Sequence, residues 1–447
     1  MKRNEAKVWT VRFVVCLLMA MVCFSPIAAA EDGKAFTVEE DEFGPVYRVN
    51  INNVKSAADM ASVPGVKIAW DLRKTGGGRW LANVRDIDGD GTIDLLTAGE
   101  ADGKHCLFRY SQDGELLWTS EPVGDSMGHE SGLAIEDMDG DGTPEAVFNV
   151  LGAVVCLDAK TGKTKWKVEI PKGRDNRQAG VVGHFLDPKR FAVVCRVYHD
   201  VFCYDENGKL AWKYRIDNPS AYGHDMAHYD ADGDGLDEIY MSLNGKFLVV
   251  DGSGKTRWAD TECRNHSDYI LCGDVNADGK NEIVYDRCGC DYKKGPIVSV
   301  DGATGKLERK WEYARPGVDH LQKAVLGDFD PDRPGLEFAA VGKRKGTGGL
   351  ILWNEAGKPY LQKDIAAGWV AWGNWSGEKH PQILVAVADG WEVWNGKGER
   401  LYAIRGVGSM PLGVESAGPR RPDNDGNGKC ETLVSPRDGY FLLLEKP

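Results

Sequence analysis

One nine-residue phrase, Asp86-Ile-Asp88-Gly-Asp90-Gly91-Thr-Ile-Asp94, constrains this chain more than any other stretch. Carboxylates at its first, third, fifth and ninth positions, with glycine at the sixth, match the opening of an EF-hand-type calcium loop. A hard dication takes about six to eight oxygen ligands at roughly 2.3–2.6 Å, so side chains at alternate positions must curl around it. The glycine admits the sharp turn. The phrase recurs as Asp137, Asp139, Asp141, Glu145; as Asp230, Asp232, Asp234, Glu238; and as Asp274, Asn276, Asp278, Glu282. Asp328, Asp330 and Asp332 are followed by Glu337 after one extra residue, and Asp423, Asp425, Asn427, Glu431 form the last copy. A single copy is also what an ordinary turn of Asp and Gly gives. Six copies define a repeated metal-loop module, and the expected cofactor is Ca2+, up to six ions.

The spacing of the copies sets the architecture. Two wide gaps between loops each hold a degenerate module, at Gly183–Asp187 and Gly373–Gly377. The eight starts, at 86, 137, 187, 230, 274, 328, about 374 and 423, then lie roughly 43 to 54 residues apart. Such a period built from short strands is that of a β-propeller blade. Each module reads as a strand into the loop (Leu81–Val84, Tyr269–Cys272), a strand out of it (Asp94–Thr97, Ile283–Tyr285) and a hairpin about a Gly turn. The reading is therefore all-β, an eight-bladed β-propeller over residues 80–447. Trp118, Trp166, Trp212, Trp258 and Trp311 close the hairpins, where packing between blades explains them better than ligand binding does. The last module lacks its outermost strand. Within residues 31–79, either Val46–Ile51 or Val66–Trp70 is expected to supply it and so remove an exposed edge.

The first thirty residues read as a secretory leader: Lys2, Arg3, Lys7 and Arg12, an apolar run from Phe13 to Phe24, then Ala28-Ala29-Ala30 as the cleavage site. The mature chain is expected to be exported or periplasmic, without membrane insertion, and monomeric. The formal net charge of −13 argues against nucleic acid. Much of that charge lies in the acidic loops, and six dications would nearly cancel it. Cys106, Cys156 and Cys272 read as small core residues. Cys263 has two openings: a disulfide with Cys288 or Cys290, or a zinc site with His266, for which the spacing is the poorer match.

Strand order places the acidic loops and the Gly hairpins on one face and the remaining connections on the other. The second face is rich in bases and cations: His129, Arg177, His224, Arg264, His266, His320 and Lys323 ahead of first strands, with His199, Arg287, Tyr292 and Lys343 after second strands. A lone histidine at a strand start is usually structural. Several converging on one channel mouth would form a basic funnel that attracts an anionic ligand. A carboxylated or sulfated polysaccharide fits better than nucleic acid, because aromatic and basic residues do not interleave as single-strand binders require.

The phrase Gly327-Asp328-Phe-Asp330-Pro-Asp332-Arg-Pro-Gly335-Leu-Glu337 resembles the loop of family 11 rhamnogalacturonan lyases, and Asp113-Gly-Glu-Leu-Leu-Trp118 is similar to their repeats. The acidic loops alone are shared with integrin-like FG-GAP (VCBS-type) propellers. The resemblance implies a secreted, calcium-containing, eight-bladed propeller acting by β-elimination on a uronate polysaccharide. His266 or His320 would then be the base, and Arg264, Arg287 or Lys323 would offset the substrate carboxylate. His129, Arg177, His199, His224, Tyr292 and Lys343 would bind the polymer. Two other classes remain open on the residues: a non-catalytic propeller binding a glycan or protein, and a quinone-dependent dehydrogenase suggested by the Gly-Lys-x-x-Trp hairpins.

Overall fold

Short apolar strands punctuated by Gly turns fold into eight sheets, antiparallel but for one pair, arranged as the blades of a propeller. The structure is a computed structural model of the chain. It describes residues 33–72, 77–124, 132–172, 178–217, 226–264, 266–287, 296–311, 321–342, 349–365, 367–374, 380–407, 409–410, 432–436 and 440–444. Blades 1 to 7 begin with Gly77–Arg85, Leu133–Glu136, Gln178–Asp187, Met226–Tyr229, Ile270–Gly273, Leu321–Gly327 and Ala367–Gly373. These first strands neighbour one another around the ring, so they line its axis. Middle strands are buried on both faces; all six residues of Glu145–Val150 are inaccessible. Outer strands such as Thr164–Glu169 alternate half-buried with exposed, as an edge against water should. The core lies between blades: Leu96 and Leu107 of blade 1 share a cluster with Phe148 and Val155 of blade 2.

Blade 8 is composite. Ser409–Met410, Thr432–Pro436 and Tyr440–Leu444 come from the end of the chain, and Val66–Asp71 pairs antiparallel with Tyr440–Leu444 to complete it. The earlier segment goes elsewhere. Gly44–Val49 runs parallel to Arg400–Arg405 of blade 7, and Phe36–Asp41 pairs with it as a sixth strand. Between them lies the one helix among the described residues, Ala57–Ala61, started by a Ser56–Asp59 capping box.

The hairpin tryptophans bind one blade to the next. Trp118, Trp166, Trp212 and Trp258 each donate an indole N–H to the following blade, at Ala159 O, Glu206 O, Gly252 O and Gly302 O, over 2.8–3.2 Å. Trp70 does the same across the closure, donating to Ser111 O at 2.8 Å. Each of those four rings lies on the hairpin glycine of the next blade. Gly305 has φ +69°, and a Cβ there would stand 2.5 Å from the Trp258 ring. Gly305→Ala combines left-handed strain with overpacking and should cost about 2–4 kcal/mol. Trp258→Ala should cost about 3–5 kcal/mol. Urea unfolding of the two variants checks both values.

Candidate functional site

In the acidic loops, the first-position carboxylate organises the turn. Asp86 accepts backbone N–H from Gly89, Asp90 and Gly91, and Asp137 does so from Gly140, Asp141 and Gly142. The glycines at positions four and six of these two loops have φ between +77° and +87°, which permits the tight curl. The ninth position is set by strand register: Asp94, Glu145, Glu238, Glu282 and Glu337 pair with the last residue of the preceding first strand, and all five are buried. Each also accepts from the backbone at position two of its loop, as Glu282 does from Val275 at 2.8 Å.

Donor chemistry fits a hard dication. Carboxylate oxygens lie within 4.8 Å of one another in Asp86/Asp88/Asp90, Asp137/Asp139/Glu145, Asp230/Asp232/Asp234 and Asp274/Asp278/Glu282. In blade 6, Glu337 is fully buried and its Oε1 has no hydrogen-bond partner among the described residues. An orphaned buried carboxylate oxygen is costly unless a cation answers it. Blades 3 and 7 differ. Blade 3 turns tightly at Asp187–Arg190, and blade 7 carries neutral Gln382 at the ninth-position register, its amide donating to His380 O at 2.9 Å. The last loop, Asp423, Asp425, Asn427 and Glu431, lies outside the described residues.

Burial pushes Glu238, Glu282 and Glu337 up to about 7 from an ordinary 4.5. Without a cation the folded chain holds those protons more tightly than the unfolded one. Their contribution to stability is therefore full below about 4.5 and lost as pH rises to about 7. Thermal melts in excess chelator should fall through that window, and added Ca2+ should reverse the trend.

On the opposite face, the described residues converge on the connection between blades 4 and 5. His266 is only 6 % exposed. Its backbone N–H and its Nδ1–H both donate to Asn244 Oδ1, at 3.2 and 3.0 Å. Asn244 Oδ1 can only accept, so Nδ1 carries a proton and Nε2 is the nitrogen turned toward Asp268. Nε2 faces Asp268 Oδ1 at 3.5 Å, a carboxylate placed to stabilise an imidazolium. The Asp268 carbonyl accepts from Lys323 Nζ at 3.3 Å, and that ammonium sits 5.2 Å from the Trp369 ring centroid. Asp268 therefore joins His266 to Lys323.

Arg264 is exposed, and its backbone N–H donates to Arg287 O. Arg287 is buried, with Nε on Asp260 at 2.7 Å and Nη1 on Glu262, while Tyr285 donates to the same Asp260 oxygen. His199 is half-buried in the turn after the second strand of blade 3. His129, Arg177, His224, Tyr292, His320 and Lys343 lie outside the described residues, as do Cys288, Cys290 and residues 1–30. Cys263 is buried. Asn244 was not singled out from sequence. Its signal is the Asn-Gly turn after a second strand, on the same face as His266.

Fold and loops define a β-propeller with repeated acidic loops. Residues 86–148 match a family model described as an FG-GAP-like repeat, and 150–320 match one described as outer membrane protein assembly factor BamB. The chain is similar to two proteins of Bacillus subtilis (strain 168). It is 24% identical over 335 residues to rhamnogalacturonan exolyase YesX, covering 65% of this chain and 47% of that protein. It is 25% identical over 377 residues to rhamnogalacturonan endolyase YesW, covering 75% and 54%. The chain thus spans about half the length of the curated relatives it matches. The crystal structure of exotype rhamnogalacturonan lyase YesX aligns with TM-score 0.64 at 18% identity, over 85% of this chain and 76% of that one. The V. cholerae biofilm matrix protein Bap1 aligns with TM-score 0.54 at 12% identity, over 86% and 91%. These structural likenesses speak to the fold. Among the described residues, no helix is long and apolar enough to cross a membrane.

Proposed function

We propose that the chain is an exported, calcium-containing polysaccharide lyase that cleaves a uronate polymer of the rhamnogalacturonan kind by β-elimination. The observation that carries this reading is His266, with Nδ1–H held by Asn244 and Nε2 turned toward Asp268, whose carbonyl holds Lys323. Similarity to two rhamnogalacturonan lyases supports the substrate class.

In the reaction, a cation beside the uronate carboxylate favours loss of the neighbouring C–H proton. Lys323, with Arg264 exposed nearby, supplies that charge. Asp268 swings off Nε2 as substrate enters, the imidazole takes the proton, the C–H electron pair forms the new double bond, and the glycosidic oxygen leaves with the C–O bond pair and takes a proton from water. Asp268 then stabilises the imidazolium. Ca2+ held by Asp86, Asp137, Asp230, Asp274 and Asp328 with their loop partners would neutralise the acidic face and brace the blades that present these groups.

A second reading, a non-catalytic propeller that binds a glycan or protein, draws on the burial of His266 and the closure of Arg287 by Asp260 and Glu262. Incubation with a panel of uronate polysaccharides separates the two. Ultraviolet-absorbing unsaturated products support the lyase. Retention on an immobilised polyuronate without any product supports the binder.

A further inference from the structure

The five described acidic loops differ in how the protein answers their carboxylates. In blade 1, Arg109 Nη2 donates to Asp88 at 2.5 Å and Asp94 at 2.6 Å. In blade 2, Lys165 Nζ reaches Asp139 at 3.0 Å and Glu145 at 2.7 Å. In blade 4, the Arg257 guanidinium spans Asp232 and Glu238. Each of these blades lays one internal cation across the third and ninth positions of its own loop.

Blades 5 and 6 depart from that pattern. Blade 5 has Asn276 at the third position, and Glu308 takes the outer-strand place that Lys165 and Arg257 hold in theirs, three residues after the hairpin glycine. The Asn276 amide donates to Glu308 Oε2 at 3.2 Å and to Glu282 Oε1 at 3.4 Å, so no positive charge reaches Glu282 by that route. In blade 6, Arg333 binds Asp330 at 2.9 Å and Lys397 binds Asp332 at 2.6 Å. Glu337, fully buried, accepts from Phe329 and Asp330 N–H at Oε2, and Oε1 is the orphaned atom described above. The two loops also touch, through Leu336 N–H on Val275 O at 3.2 Å. They pack so closely that a Cβ on Gly335 would lie 2.3 Å from that oxygen.

Resting on the reading of these loops as Ca2+ sites, we infer that they fall into two classes. Loops of blades 1, 2 and 4 have their third and ninth positions tied by one internal cation and keep their shape when the dication leaves. Those of blades 5 and 6 form a coupled pair that depends on it. A buried carboxylate oxygen without a partner bears its full desolvation penalty, and like charges gathered at short range in a low-dielectric site repel strongly. Where Arg or Lys already spans the loop, chelation removes one cation of two. Where none does among the described residues, it removes the cation that answers the ninth position, and the Leu336–Val275 bond passes the disturbance between blades. Blades 5 and 6 carry Asp268 and Lys323 at their other end, so chelation would loosen the candidate site while most of the ring persists.

Hydrogen–deuterium exchange of the full chain, in Ca2+ and in excess EDTA, tests this. Peptides spanning 270–286 and 321–342 should take up severalfold more deuterium in EDTA, and those spanning 94–110, 145–158 and 238–250 should change little. Arg257→Gln should make the blade 4 peptide chelator-sensitive, with Lys165→Gln doing the same for blade 2. Glu337→Gln should blunt the blade 6 response. A uniform rise over all five loops, or a rise confined to blades 1, 2 and 4, overturns the division. No change in a protein that elemental analysis shows to contain calcium overturns it too. Absence of calcium from the purified protein overturns the underlying Ca2+ reading instead.

Discussion

Deleting the chain up to Asp71 is expected to abolish folding of the whole ring. Val66–Asp71 is the outermost strand of blade 8, in register from Val66 with Leu444 to Asp71 with Tyr440. Its Val66, Ile68, Ala69 and Trp70 are buried, as are Val46, Val49, Val54, Met60 and Val63 ahead of it. Full burial of such side chains is worth about 1.5–3 kcal/mol each. Their combined loss is on the order of the entire stability of a typical domain, about 5–15 kcal/mol. The Trp70 bond to Ser111 disappears as well, so blades 8 and 1 part and the ring has two open edges. Soluble yield and circular dichroism of the deletion variant read the outcome. A shorter deletion ending at Glu40 should remain folded, because Phe36–Asp41 is a half-exposed outer strand and the Asp41 partner of buried Arg400 is kept.

His266→Ala is expected to lower the elimination rate about 10²–10⁴-fold, the usual contribution of a positioned general base. Removing the ring leaves Asn244 Oδ1 with the residue 266 backbone N–H as donor, a net loss of about 0.5–1.5 kcal/mol, so the variant should still fold at ordinary temperature. Asn244 acts through the histidine. Asn244→Ala releases the Nδ1–H tautomer, and it should both slow the reaction and displace its pH profile, which a purely structural loss would not do. Steady-state rates across pH, beside melting curves for both variants, distinguish these outcomes.

Much of this design is written locally. The spacing of carboxylates and glycines in each loop specifies the turn, its recurrence specifies the blades, and the hairpin Trp residues announce the contacts between blades. Long-range choices are not local. Val46–Val49 and Val66–Trp70 are both short apolar strands, and only the register against Tyr440–Leu444 and the Trp70–Ser111 bond distinguish the one that closes the ring. Arg287 is similar: its charge suggests a substrate contact, yet Asp260 and Glu262, from the preceding blade and the connection after it, answer it. The counter-cations Lys165 and Arg257 stand about twenty residues from the glutamates they bind, beyond the reach of motif reading. Asn244 escaped notice because an Asn-Gly pair is first of all a good hairpin turn.

The most direct test of the central claim is the mass of the fragments released when the Ca2+-loaded protein acts on rhamnogalacturonan. β-Elimination predicts that every cut yields one fragment lighter by one water than its hydrolytic counterpart, absent when His266→Ala replaces the wild type. Fragments that are all fully hydrated, or an intact polymer, would contradict the account.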